Sequence, residues 1–147
     1  MLVQADGQFL GVVGLADTPR EGMREVLERL QRLGIRKTIM LTGDNERVGR
    51  AIANAVGLDE VKAGVLPEDE VRAMEELGRP HGQVAMVGAG VNDARLWRAT
   101  VGIAMGGAGT DVALETAGVA LISDDLSKLP FAVALSRASR RIIRHDL

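Results

Sequence analysis

The sequence predicts an α/β fold: a three-layer, doubly wound, mainly parallel sheet preceded by an N-terminal β-hairpin. Three observations carry that expectation. Aromatic residues make up only 2% of the 147-residue chain while glycine numbers 18, a bias toward close helix-on-sheet packing and away from an aromatic-cored β sandwich. Short apolar runs alternate with segments of helical periodicity, the pattern best satisfied by parallel strands covered on both faces. A turn cluster near the start, Ala5-Asp6-Gly7-Gln8, separates two apolar runs at hairpin spacing.

The hairpin is expected from strands Leu2-Ala5 and Phe9-Leu15. Thr18-Pro19-Arg20-Glu21 then reads as a capping box with proline at the first helical position. Met23, Val26, Leu27, Leu30 and Leu33 follow at spacings of three and four, and Gly34 is suited to the left-handed conformation that ends a helix. Thr38-Ile39-Met40-Leu41 is a strand ending in Thr42-Gly43-Asp44-Asn45, with Val48, Ala51, Ile52, Ala55 and Val56 helical behind it and Gly57 as the stop. The unit repeats: strand Val61-Val65 and a helix opened by Pro67; strand Val84-Val87 and a helix from Asn92; strand Val101-Met105 and a helix from Thr110. The last strand, Val119-Ile122, leads to a helix from about Ser127 onward. No linker or low-complexity segment interrupts the chain, so residues 1–147 read as one domain.

Composition narrows the function. The 18 basic and 20 acidic residues leave a formal charge of −2, which argues against a nucleic-acid surface. No cysteine and only His81 and His145 argue against a thiolate nucleophile or a transition-metal centre. The longest stretches free of charged residues, Pro80 to Asn92 and Ala99 to Thr110, are too short to span a bilayer, and Asp6 and Gly7 interrupt any signal-like start, so a cytoplasmic chain is expected. Trp97 and Met23, Met40, Met74, Met86 and Met105 fall on periodic apolar positions and are assigned to the core, while His81 beside Pro80 and Gly82 is assigned to a loop.

In a doubly wound sheet the ligand crevice lies beyond the carboxyl ends of the strands. Two loops there could carry chemistry. Thr42-Gly43-Asp44 offers a hydroxyl, a permissive glycine and a carboxylate ahead of a helix N-terminus, where amides attract an anion; the plain alternative is that Asp44 or Asn45 only caps its helix. Gly88-Ala89-Gly90-Val91-Asn92-Asp93 lets backbone approach a ligand, with capping again the plain alternative. It begins like a dinucleotide fingerprint, but Asp93 stands at the third glycine and no acidic ribose partner follows.

Five strings together carry a family resemblance. Leu15-Ala16-Asp17-Thr18-Pro19-Arg20, Met40-Leu41-Thr42-Gly43-Asp44-Asn45, Val65-Leu66-Pro67-Glu68-Asp69, Gly90-Val91-Asn92-Asp93-Ala94 and the run from Gly102 to Ala117 resemble, in order and spacing, the phosphorylation domain of a heavy-metal P-type ATPase, a haloacid-dehalogenase-like fold. The run from Met105 to Ala117, with Asp124-Asp125-Leu126-Ser127-Lys128-Leu129-Pro130, resembles the zinc, cadmium and lead exporters more than the copper pumps. The resemblance implies that an aspartate in a DKTGT motif attacks the γ-phosphate of ATP, that a separate domain binds the nucleotide, and that magnesium offsets the phosphoryl charge. It implies further that Thr42 hydrogen-bonds the phosphoryl oxygens, Gly43 permits close approach and Asp44 belongs to the dephosphorylation loop. Asn92 then contacts phosphate, Asp93 supports the magnesium site, and Asp17 lies at the hinge to the nucleotide domain. Residues 1–15 correspond to the edge of that nucleotide domain, and residues 129–147 to a basic helix that in the family leads into the membrane.

The departures from the pattern point the other way. DKTGT occurs nowhere in these residues, and with it goes the strand at the centre of the sheet. The family's phosphate-facing lysine is replaced in Pro67-Glu68-Asp69-Glu70, where Glu70 does suit a helical first turn, and its principal magnesium aspartate is replaced in Gly88-Ala89-Gly90. Arg95 stands where the family has proline. The expectation is therefore a phosphorylation-domain homologue that does not transfer phosphoryl groups alone, with magnesium bound weakly or not at all. Two rivals are a binding module that docks on an intact pump or pairs with itself through a strand, and a small phosphatase of the same fold using Asp17. An unfilled central slot would strand backbone groups at roughly 1–3 kcal/mol each, so Phe9-Leu15 is expected to pair into the sheet unless a partner chain supplies the strand. Ala132, Leu135, Ile142 and Ile143 interspersed with Arg137, Arg140, Arg141 and Arg144 read as a solvated basic helix face, or as a weak membrane-surface contact.

Overall fold

Why helices and strands begin where they do is largely a matter of a few caps and glycines. In the computed structural model, which describes residues 2–12, 18–88, 99–106, 118–121, 123 and 125–145, strands β1 (Leu2–Ala5) and β2 (Gln8–Val12) form an antiparallel hairpin. Its turn places Asp6 and Gly7 at φ 48° and 77°. Helix α1 (Met23–Arg32) follows. The capping box at Thr18 does not form: Gly22, at φ 76°, is the N-cap, no side chain caps the helix, and residues 18–20 have no regular structure. A left-handed residue cannot continue a helix begun upstream, so Gly22 resets the start to Met23. At the other end Gly34, at φ 82°, terminates the helix as expected, its amide donating to Gln31 O at 2.8 Å.

The repeating units are β3 (Ile39–Leu41), α2 (Glu46–Val56), β4 (Glu60–Lys62), α3 (Pro67–His81) and β5 (Ala85–Gly88). They continue with β6 (Val101–Met105), β7 (Val119–Leu121), a 3-10 turn over Leu126–Lys128 and α4 (Leu129–His145). Pro67 opens α3 at its first position, and Asn45 caps α2 by accepting from Val48 N at 3.0 Å. Asp125 caps the 3-10 turn by accepting from Ser127 N at 2.9 Å, and the Ser127 hydroxyl, followed by that amide, holds its carboxyl below the ordinary value. The helices expected from Asn92 and Thr110 lie outside the described residues.

All β3–β7 pairings are parallel, but they fall into two pieces. β3 pairs β4 (Met40 opposite Val61), and β5, β6 and β7 form a three-stranded sheet with β6 in the middle (Val87 opposite Ile103, Ala104 opposite Ala120). Among the described residues, one edge of β3 and one edge of β5 have no strand partner. β2 does not fill that place. Its described residues pair with β1 alone, and Phe9 and Leu10 remain 64% and 63% exposed, which corrects the expectation that Phe9-Leu15 joins the sheet; Val13, Gly14 and Leu15 lie outside the described residues.

What joins the pieces is α1. Val26, Leu27 and Leu30 on its buried face meet Val56 of α2, Ile103 and Met105 of β6, Leu121 of β7 and Leu129 of α4 in one apolar cluster. A second tie fixes β4 to β3. The amide and hydroxyl of Thr38 both donate to Asp59 Oδ2 at 2.7 Å, and Asp59 N donates to Thr38 O at 3.1 Å.

Candidate functional site

β3 and β4 end side by side, so the loops that follow them are built as one unit. Thr42 N donates to Lys62 O at 3.0 Å, Val65 N to Thr42 O at 3.1 Å, and Gly64 N to Asp44 O at 2.8 Å. Gly64 adopts φ 64° to make that last turn. Within the first loop, Thr42 Oγ1 accepts from Asp44 N at 3.1 Å and lies 3.3 Å from Asp44 Oδ2, to which it donates. Thr42 is half-buried while Gly43, Asp44 and Asn45 are exposed. The result is a rigid shelf carrying a hydroxyl and a carboxylate beside the N-terminus of α2. Asn45, not Asp44, makes the cap, so Asp44 is not committed to that task.

Packing beneath the shelf depends on a residue that the sequence reading passed over. A Cβ at Gly49, on the first turns of α2, would stand 2.9 Å from Val61 Cγ1 and 3.3 Å from Thr42 Cγ2. Gly49 therefore lets α2 lie close enough to hold the Thr42 side chain in place. A glycine inside a helical pattern is the signal that could have found it. Gly43 has no such constraint here, since a Cβ there would meet only Val65 O at 3.6 Å.

Of the other expected site residues, Asp17, Asn92 and Asp93 lie outside the described residues, as do Ala89 and Arg95. β5 is described to its end at Gly88, the residue directly before Ala89 in sequence. Glu70 falls in the first turn of α3. Among the described residues no group of three or more His, Asp or Glu is placed to hold a metal ion. The shelf offers one carboxylate and one hydroxyl, and magnesium is usually held by one or two carboxylates with waters and phosphate oxygens completing its shell. A separate cavity of about 240 Å³ lies between the start of α1 and the turn before α4, lined by residues that include Arg20, Glu25, Arg29 and Ser127 but none of Thr42, Gly43 and Asp44.

A shelf of this kind, at the ends of paired parallel strands, gives structural meaning to the chain's likenesses to known proteins. A family model described as a haloacid dehalogenase-like hydrolase matches residues 2–99. A probable cadmium-transporting ATPase of Alkalihalophilus pseudofirmus is 51% identical over 148 aligned residues, covering 100% of this chain and 20% of that protein. One from Staphylococcus aureus is 49% identical with the same coverage. A crystal structure of a zinc-transporting PIB-type ATPase in the E2·Pi state superposes with a TM-score of 0.80 at 46% identity, covering 98% of this chain and 23% of that one. The chain spans about a fifth of the length of the curated relatives it matches. It belongs to the haloacid dehalogenase-like hydrolase family, and along its whole length its relatives are heavy-metal P-type ATPases.

Proposed function

We propose that these 147 residues form phosphorylation-domain structure of the zinc/cadmium/lead type and do not carry out phosphoryl transfer by themselves. In that reading Thr42, Gly43 and Asp44 line one side of the phosphoryl position, and Asn92 and Asp93 the other, with Asp93 the remaining carboxylate for magnesium. The parent reaction needs a carboxylate oxygen that bonds to the γ-phosphorus as ADP leaves, and a concentration of positive charge around the transferred group.

The open edges of β3 and β5 are the observation that carries the proposal. The shelf sits at the end of β3 and the Asn92 loop begins at the end of β5, so a strand between them would deliver its terminal residue to the same place. These residues contain no DKTGT to put there. Glu70 and Ala89 weaken the site further, the first by adding negative charge where the family has lysine, the second by removing an oxygen ligand. Losing one preorganised contact of this kind costs on the order of 10²–10³ in rate, and losses within one unit do not simply multiply.

The test is hydrolysis of acetyl phosphate and of p-nitrophenyl phosphate by the purified chain with magnesium. No turnover above the uncatalysed rate is expected, and none from the Glu70→Lys/Ala89→Asp double variant, since neither change adds an attacking group. Magnesium-dependent turnover by the unaltered chain, lost on Asp17→Ala, would replace this reading with that of a small phosphatase.

A further inference from the structure

Two helices end in the same way, each against an arginine of another helix. α2 closes at Gly57, at φ 86°, and the guanidinium of Arg24, on the first turn of α1, reaches its last turn: Nη2 donates to Ala55 O at 2.9 Å and to Asn54 O at 3.3 Å. α1 is followed by Gly34, at φ 82°, beside which the Arg137 guanidinium of α4 donates to Leu33 O. A Cβ would stand 3.7 Å from Arg24 Nη1 at Gly57 and 3.3 Å from Arg137 Nη1 at Gly34. A guanidinium so placed meets carbonyls that a helix leaves without intrahelical partners, at the negative end of its dipole.

What makes the first clasp informative is the other end of α2. There Asn45 caps the helix, and Gly49 lies against Val61 and Thr42 with no room for a methyl group. An 11-residue helix is about 16 Å long, so Arg24 stands far from the shelf. Val56 of α2 shares the core cluster with Val26, Leu27 and Leu30 of α1. Burial of that kind is non-directional and lets a helix shift or turn slightly along its axis. Two charge-assisted hydrogen bonds to particular carbonyls do not.

We propose that Arg24 is a positioning residue for the shelf: by fixing α2 along its axis from the far end, it sets where Gly49 meets Thr42, and so where the Thr42 hydroxyl and the Asp44 carboxylate stand. α1 is the frame for this, with its inner face in the core and its own end held by Arg137. An arginine that served stability alone would change how firmly α2 is held and not where the shelf sits. The functional meaning of the inference rests on the reading of the shelf as one side of the phosphoryl position, which the turnover assay decides; the position of the shelf is decided by a different measurement.

That measurement is NMR of the whole chain with labelled threonine methyls. In Arg24→Gln the Thr42 methyl and the Asp44 amide, which donates to Thr42 Oγ1, should be displaced together with Asn54 to Gly57, while the Thr38 methyl, anchored through Asp59, keeps its place. Arg24→Lys retains the charge and a donor and should return Thr42 part of the way to its parent position. Arg29→Gln takes the same charge from the same helix five residues on and should leave Thr42 unmoved. Both arginines are exposed, so all three variants should fold, which circular dichroism checks. Displacement confined to Asn54 to Gly57 overturns the proposal and leaves Arg24 a local cap. Equal displacement of Thr42 by Arg29→Gln, or no recovery in Arg24→Lys, overturns it as well, because the shift would then not come from the lost clasp.

Discussion

Asp59 is an exposed carboxylate with a buried partner, and that asymmetry makes it informative. The hydroxyl of Thr38 is the largest influence holding its carboxyl below the ordinary value, followed by the Thr38 amide, with the Lys37 charge adding to both against a small desolvation penalty. A carboxyl depressed in the folded state stabilises above its unfolded pKa, near ~4, and that contribution drains away as pH falls through the lower folded value. Asp59→Asn should therefore cost about 1 kcal/mol at neutral pH, a charged hydrogen bond discounted for its exposure. Urea midpoints of variant and parent should converge as pH falls through and below the ordinary carboxylate range. Neither Thr38 nor Asp59 announces this clasp in sequence, because the pair forms across a whole helix. Thr38 reads as the first residue of a strand and is instead the anchor just before it. Gly22 is the converse: a residue that looks incidental beside a well-formed capping motif, yet overrides it by adopting a conformation that the motif cannot tolerate.

At the scale of elements, α2 shows how a site is shaped by what lies under it. Gly→Ala inside a helix ordinarily gains about 1 kcal/mol. At Gly49 the new methyl would be forced into Val61 and toward Thr42, and overpacking of that kind costs typically ~1–3 kcal/mol. Gly49→Ala should lower stability by about 1 kcal/mol net in urea denaturation and shift the Thr42 methyl resonance, whereas Gly43→Ala should do neither. The helix and strand periods were legible throughout: β6 spans Val101–Met105 as its apolar run suggests, Pro67 opens α3, and Gly57 closes α2. Strand ends were less so. β4 stops at Lys62 although the apolar run continues to Val65. Val65 N turns to bond Thr42 O instead, a requirement of the neighbouring loop that no local pattern carries.

The molecule as a whole is a pair of parallel half-sheets held by one helix. Leu27 sits 6% exposed at their junction, in the cluster that contains β6, β7, α2 and α4 residues. Leu27→Ala should cost about 3 kcal/mol, within the range for a buried leucine. Hydrogen exchange should then show β3–β4 and β5–β6–β7 losing protection together, because neither piece keeps its covering without α1. The α/β class and the βα order could be read from sequence because each unit repeats the same change of period. The split could not be read from periodicity. Only comparison of the motif strings with a family pattern led to the expectation of a break at the centre of the sheet. Much of the candidate site was legible for a related reason: Thr42, Gly43 and Asp44 directly follow a strand, where chain direction alone puts them at the crevice.

Among the described residues, the margins of β3 and β5 that pair with no strand have a consequence for handling. Each presents a ladder of donors and acceptors with the spacing any extended peptide can match, and neither is blunted by a proline or a bulge. A chain built this way is a template in search of its complement. Concentrated on their own, such molecules are expected to associate margin to margin into growing assemblies, which light scattering against concentration would show.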